Sequence, residues 1–160
     1  MKQVVRAFLF NPEGKILLTQ HRADTPWVLP GGHRETDESL HEAMIREIEE
    51  EFWLQAKFFE IDREEVLHHR GKKLTHHPLP IAIYDLTYKN AEWVDKSRTE
   101  YIFLMETSDT TQVTQKEEIH DFKWFEVDDI LSMRANIETY DFIIEMLEKI
   151  MGEDEEEYIQ

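Results

Sequence analysis

Chemistry is most densely suggested between Gly32 and Glu51, where the chain reads GHRETDESLHEAMIREIEEE. Glu47, Glu49, Glu50 and Glu51 crowd into a turn and a half of a chain with 35 acidic and 18 basic residues, a net charge of −17. Two carboxylates ~4 Å apart repel by about 4 kcal/mol at an effective dielectric of ~20. Either the run is splayed into water or something positive sits on it. Clustered carboxylate oxygens suit a hard divalent cation such as Mg²⁺, which takes oxygen ligands in an octahedron and is often shared with substrate phosphates. In so acidic a chain, a phosphorylated substrate needs metal ions to carry it in.

An element must aim those side chains. The pattern predicts a helix from about residue 37 to 52, with Thr36 or Asp37 as N-cap. At roughly 100° per residue, Leu40, Met44, Ile48 and Phe52 make a core-facing stripe with Ile45 beside it. Glu47, Glu50 and Glu51 share the adjoining arc, whereas Glu38, Glu42 and Glu49 point to a third side. Backbone carbonyls of the preceding PGG loop could complete a ligand set, because glycine permits close main-chain approach. The alternative is a solvated, glutamate-rich helix. A zinc-protease motif is excluded, since Ile45 stands where the second histidine is required.

Around this helix the sequence predicts strands at 3–10 and 15–20, joined by the turn NPEG. Further strands are expected in LQAKFFEI, LPIAIYDLTY, EYIFLMET and DFKWFEV, and a hairpin or loop in HHRGKKLTHHP. DDILSM and IETYDFIIEMLEKIM read as helices, the second amphipathic through Phe142, Ile143, Met146, Leu147 and Ile150. The fold class is therefore α/β or α+β, a single domain over 1–151 with a mixed sheet between helical layers and an acidic tail at 152–160.

Composition bounds the rest. The 160 residues are 41% apolar, enough for one domain with a proper core. With no cysteine there are no disulfides and no thiolate metal sites. No stretch approaches transmembrane length, so the expectation is a cytoplasmic protein without membrane contact, monomeric or homodimeric. The acidic excess argues against long nucleic acids as partners. His68, His69, His76 and His77 match no zinc-finger spacing, and Lys72 and Lys73 beside them form a small basic island. Trp27 is placed either to stack on a base or to pack beneath the PGG loop.

Gly32, Glu38, Arg46, Glu47, Ile48, Glu50, Glu51 and Leu54 fit every specified position but one of the pattern G-x5-E-x7-R-E-U-x-E-E-x-G-U, where U is a bulky aliphatic residue. The segment therefore resembles the Nudix box, with Trp53 in place of the usual glycine. WVLPGG before it and EEIHDFKWFEVDDIL near the C-terminus also resemble segments frequent in the Nudix hydrolase family.

The resemblance implies a Nudix fold and Mg²⁺- or Mn²⁺-dependent hydrolysis of a nucleoside diphosphate linked to some moiety X. It implies metal ligation by Glu47, Glu50, Glu51 and the Gly32 carbonyl, with Glu38 and Arg46 bracing the box. Glu118, or its neighbour Glu117, corresponds to an acidic residue that binds metal or acts as base from the opposite wall. Glu50 or Glu51 would orient the attacking water. Arg22 matches a basic position used against phosphate. A nucleoside triphosphate giving monophosphate and pyrophosphate is the expected reaction. ADP-ribose, nucleotide sugars and dinucleoside polyphosphates are the alternatives, and a non-catalytic nucleotide-binding regulator is the alternative of another class. At Trp53 a left-handed helix end would suit tryptophan poorly, so the helix is expected to run on or end by another geometry.

Overall fold

The computed structural model describes residues 2–59, 66–75, 77–109 and 119–152. Strand β1 (Lys2–Phe10) leads through a tight turn to β2 (Ile16–Gln20). The Asn11 side chain makes that turn by accepting the backbone N–H groups of Glu13 (3.0 Å) and Lys15 (2.9 Å), while Gly14 takes φ 77°. Next come β3 (Gly31–His33), α1 (Leu40–Phe52) and β4 (Ala56–Phe58). A hairpin of β5 (Val66–His69) and β6 (Lys72–Thr75) precedes the long hairpin of β7 (Ala82–Lys89) and β8 (Asp95–Thr107). The chain continues through β9 (Asp121–Phe125), α2 (Val127–Leu131) and α3 (Asp141–Ile150).

Seven strands form one sheet in the order β4-β8-β1-β2-β9, with β3 also on β1 and β7 also on β8. Strands β1 and β8 run parallel over their whole register, Lys2 opposite Arg98 to Phe10 opposite Glu106, and the other pairs are antiparallel. The sheet is thus mixed, as the sequence predicts. Alternation along β1 splits the core in two. Val5, Ala7 and Leu9 pack with Met44, Ile48 and Phe52 of α1. Phe8 turns the other way, onto Ile130 of α2 and Ile143 and Leu147 of α3. The expected helical layers lie one on each face.

Several boundaries differ from the sequence expectation, each for a local reason. The first helix starts later than residue 37, because Ser39 and not Thr36 or Asp37 is the N-cap. Ser39 Oγ accepts the Glu42 N–H (3.1 Å), and the Glu42 carboxylate accepts the Ser39 N–H (3.1 Å). That reciprocal capping box outcompetes the earlier polar residues. Ile45 is exposed, and Ala43, Glu47 and Glu51 are buried in its stead, so the inward face is rotated toward the carboxylates. Among the described residues of LQAKFFEI, 54–59, three form β4, and α3 begins at Asp141 because residues before it turn back to bridge Thr139 to Trp27.

Candidate active site

Two glycines create the space at the site. Gly31 and Gly32 lie in β3 against β1, opposite Arg6 and Val5. A Cβ on Gly31 would collide with the Val5 carbonyl, and a Cβ on Gly32 would sit inside the carboxyl group of Glu47. Only glycine lets this strand pass between β1 and α1. Glu47 is accordingly 4% exposed and Glu51, one turn further along α1, 6%. Glu50 lies on the rim, its side chain 48% exposed.

Arg46 supplies the positive charge that the crowded run requires. Its Nε and Nη2 donate to the two oxygens of Glu38 (2.9 and 2.6 Å), a bidentate pair. Its Nη1 donates to Glu47 and Glu50 (3.1 Å each), and Nη2 also reaches the His33 carbonyl (3.0 Å). One guanidinium thereby ties β3, the loop before α1 and the helix together. The Arg46 hydrogen bond holds the Glu38 carboxyl at a pKa of about 2, against an ordinary 4.5. In return, Glu38 raises the Arg46 pKa. Glu38 is thus not a solvated residue on a third side: its carboxylate also accepts the Glu35 N–H (2.8 Å), closing the loop.

The three glutamates do not meet at one point. Among the described residues no three carboxylate or imidazole groups are placed to share a metal ion. Glu47 and Glu50 instead converge on Arg46 from adjoining arcs. The donor chemistry nonetheless fits a hard cation. Glu47 lies against the glycine backbone of β3, Glu51 is buried one turn further along α1 and Glu50 sits on the rim, and all three offer oxygen donors.

Other expected residues fall elsewhere. Trp27 places its ring on Phe125, centroids 5.0 Å apart, while its backbone N–H donates to the Glu138 carbonyl (2.7 Å). Arg22 is exposed in a turn closed by Thr25, whose Oγ1 accepts the Arg22 N–H (3.1 Å) and donates to its carbonyl (3.0 Å). His77 stacks on His41 at 4.7 Å, and His68 is exposed. Glu117, Glu118, His76 and the tail from Glu153 lie outside the described residues. Trp53 does end the helix in the left-handed region (φ 58°, ψ 25°), contrary to expectation. It is 63% exposed, so its ring meets no crowding there, and its N–H still donates to the Glu49 carbonyl (2.9 Å).

The other face of the sheet holds a cavity of about 410 Å³ whose lining includes Arg6, Leu29, Arg98, Glu100, Tyr140 and Phe142. Its charged group escaped the sequence reading. A signal existed: Arg98 and Glu100 are two apart in a strand and so share a face, and Arg6 interrupts an apolar run. The segment Leu29–Gly32 runs from this cavity to the Glu47 carboxylate, at most ~10 Å of extended chain. Among the described strands, β3 has only β1 as partner, so its outer edge is where the two faces meet.

The family model described as NUDIX domain matches residues 2–146. Among solved structures, a NUDIX-family hydrolase from Clostridium perfringens superposes with TM-score 0.65 at 23% identity, covering 92% of this chain and 94% of that one. The mutator MutT protein from Bacillus halodurans gives 0.64 at 17% identity, covering 96% and 84%. A C. elegans Ap4A hydrolase binary complex gives 0.59 at 19%, covering 94% and 96%. No curated protein matches the sequence significantly. The chain belongs to the NUDIX family. It is an enzyme of the pyrophosphohydrolase class, and that class generally works with divalent cations.

Proposed function

We propose that the protein hydrolyses a nucleoside triphosphate to the monophosphate and pyrophosphate, using Mg²⁺ or Mn²⁺. The observation that carries this reading is the Gly32 backbone packed on the Glu47 carboxyl, with Glu51 buried one turn beyond it. Two buried carboxylates one turn apart on one helix face offer oxygen donors of the kind a hard divalent cation takes. Glu47, Glu50, Glu51 and the Gly32 carbonyl would hold the ion, and Glu118 would face them as a further ligand or base. A divalent cation held there supplies charge neutralisation at the phosphate oxygens and a lower pKa for water.

The chain's own residues do the remaining work. Glu47 is fixed by its seat on Gly32, and Arg46 fixes the loop through Glu38. Glu50, on the rim, would turn from Arg46 to orient a water toward phosphorus, or Glu51 would do so in its place. The nucleoside would lie in the cavity beyond Leu29 and pass its phosphates around the edge of β3. A cavity of about 410 Å³ is of the size that takes one small-molecule moiety. Neighbours with this fold include an Ap4A hydrolase, so the fold does not select the substrate and the site must.

Incubation with Mg²⁺ and a panel of nucleoside triphosphates, ADP-ribose, nucleotide sugars and dinucleoside polyphosphates tests the assignment. Release of pyrophosphate from a triphosphate is expected, and release from none of them would overturn it. Glu50→Gln should fold normally and lower kcat by roughly 10²-fold or more, the scale for loss of a positioned acid–base group.

A further inference from the structure

The cavity between β1, β8 and α3 has a charged floor that the α1 carboxylates do not use. Glu100 is 1% exposed and accepts three hydrogen bonds. Its donors are Arg6 Nε (3.1 Å), the Tyr84 hydroxyl (2.7 Å) and Arg98 Nε (2.7 Å). Burial alone would push the Glu100 carboxyl up, but the charges of Arg6 and Arg98 and the Tyr84 hydrogen bond outweigh it and hold the group ionised.

Both arginines thus bind Glu100 through the inner nitrogen, which leaves their outer nitrogens to point elsewhere. Arg6 Nη1 donates to the Leu29 carbonyl (2.9 Å). Among the described residues, Arg6 Nη2 and both terminal nitrogens of Arg98 make no recorded hydrogen bond to protein. A purely structural ion cluster would use the guanidinium forks, because bidentate pairing is the stronger geometry. Here the forks are withheld from the carboxylate, and both arginines line the cavity. Around them stand Tyr88, under the Arg98 guanidinium at 5.1 Å, and the stacked pair Tyr140 and Phe142. Guanidinium donors among aromatic rings suit a planar heterocycle better than a bare phosphate.

We propose that Arg98 and Arg6 recognise a nucleobase presenting two adjacent acceptors, as the N7/O6 edge of guanine does, and that Glu100 is the positioning residue that aims both guanidiniums. Adenine puts an amine where guanine puts O6 and would meet donor with donor. Glu100 keeps two like charges side by side, with both of its oxygens already engaged by these three donors. The inference rests on the hydrolase reading for its placement of the nucleoside, but its test does not require turnover.

Calorimetric binding of GMP and AMP to the full chain, without metal, reads the recognition directly, and KM for GTP and ATP with Mg²⁺ reads it in turnover. GMP is expected to bind at least ~10-fold tighter than AMP, the scale of one bidentate contact. Arg98→Ala should bring the two affinities together, and Arg98→Lys should keep the charge without restoring the preference. Glu100→Gln should narrow the preference while Tyr84 and the cavity walls stay in place. Arg98→Lys keeps a cation beside Glu100 at a partly exposed position, so the test stands on that variant if Glu100→Gln does not fold. Equal binding of GMP and AMP by wild type would overturn the proposal and leave hydrolysis standing. Calorimetric binding of inorganic phosphate by wild type that is lost in Arg98→Ala, with no preference between GMP and AMP, would also overturn it, marking an anion site. An Arg98-dependent preference for GMP without turnover of any nucleotide would uphold it and remove the hydrolase reading.

Discussion

At the scale of single residues, the account turns on contacts that admit one side chain only. Gly32→Ala places a methyl inside the Glu47 carboxyl, so it should displace that side chain. We expect divalent-cation affinity to fall by at least ~10-fold, the scale seen for disturbed ligand orientation, with the helix content of the circular dichroism spectrum unchanged. Glu38 makes a second prediction. Its folded pKa of about 2 lies below the ordinary 4.5, so its ion pair stabilises the fold fully above pH 4.5. That contribution fades as acid carries the group down through its folded pKa of about 2. Chemical denaturation of wild type and Glu38→Gln should show a gap that is constant above about pH 5 and shrinks toward pH 2. A gap independent of pH would contradict the pairing. The grouping of Glu47, Glu50 and Glu51 is suggested by their spacing on the helix, yet the convergence of Glu47 and Glu50 on Arg46 is not, because a side chain's choice between a neighbouring arginine and a metal is not encoded in periodicity.

At the scale of elements, α1 illustrates what sequence patterns convey and where they stop. Its existence and apolar stripe follow from Leu40, Met44, Ile48 and Phe52, which pack as expected. Its start does not, since Thr36, Asp37 and Ser39 are all capable caps and only the reciprocal bond to Glu42 decides among them. Ser39→Ala should therefore destabilise by about 1 kcal/mol, readable as a fall in Tm, whereas Thr36→Ala should have little effect. At the other end Trp53 holds a backbone conformation that disfavours side chains by roughly 1–2 kcal/mol. Trp53→Gly should raise Tm, and a lower Tm would show that the exposed ring contributes contacts that offset this strain. Strand β4 was legible only as a longer run, because β7 occupies the edge of β8 from Ile102 to Asp95 and leaves Thr107 to Met105 for β4.

For the whole molecule, the mixed sheet with α1 on one face and α2 and α3 on the other was legible from the order of elements. The division of labour between the two faces was not. Arg6, Arg98 and Glu100 come together from β1 and β8, which are far apart in the chain and adjacent only through parallel pairing. No local motif marks such a meeting. The resulting picture places acidic groups on one side of β3 and arginine donors on the other, so that a nucleotide crossing its edge meets each charge with its complement.

The claim on which the rest depends is that Glu47, Glu50 and Glu51 seat a divalent cation, and titration of Mn²⁺ followed by electron paramagnetic resonance measures it most directly. Wild type should deplete the free-ion signal with saturation, Glu47→Gln and Glu51→Gln should each weaken uptake by at least ~10-fold, and Glu42→Gln should match wild type. Undiminished free Mn²⁺ with the wild-type protein, or equal uptake by all four proteins, would contradict the account.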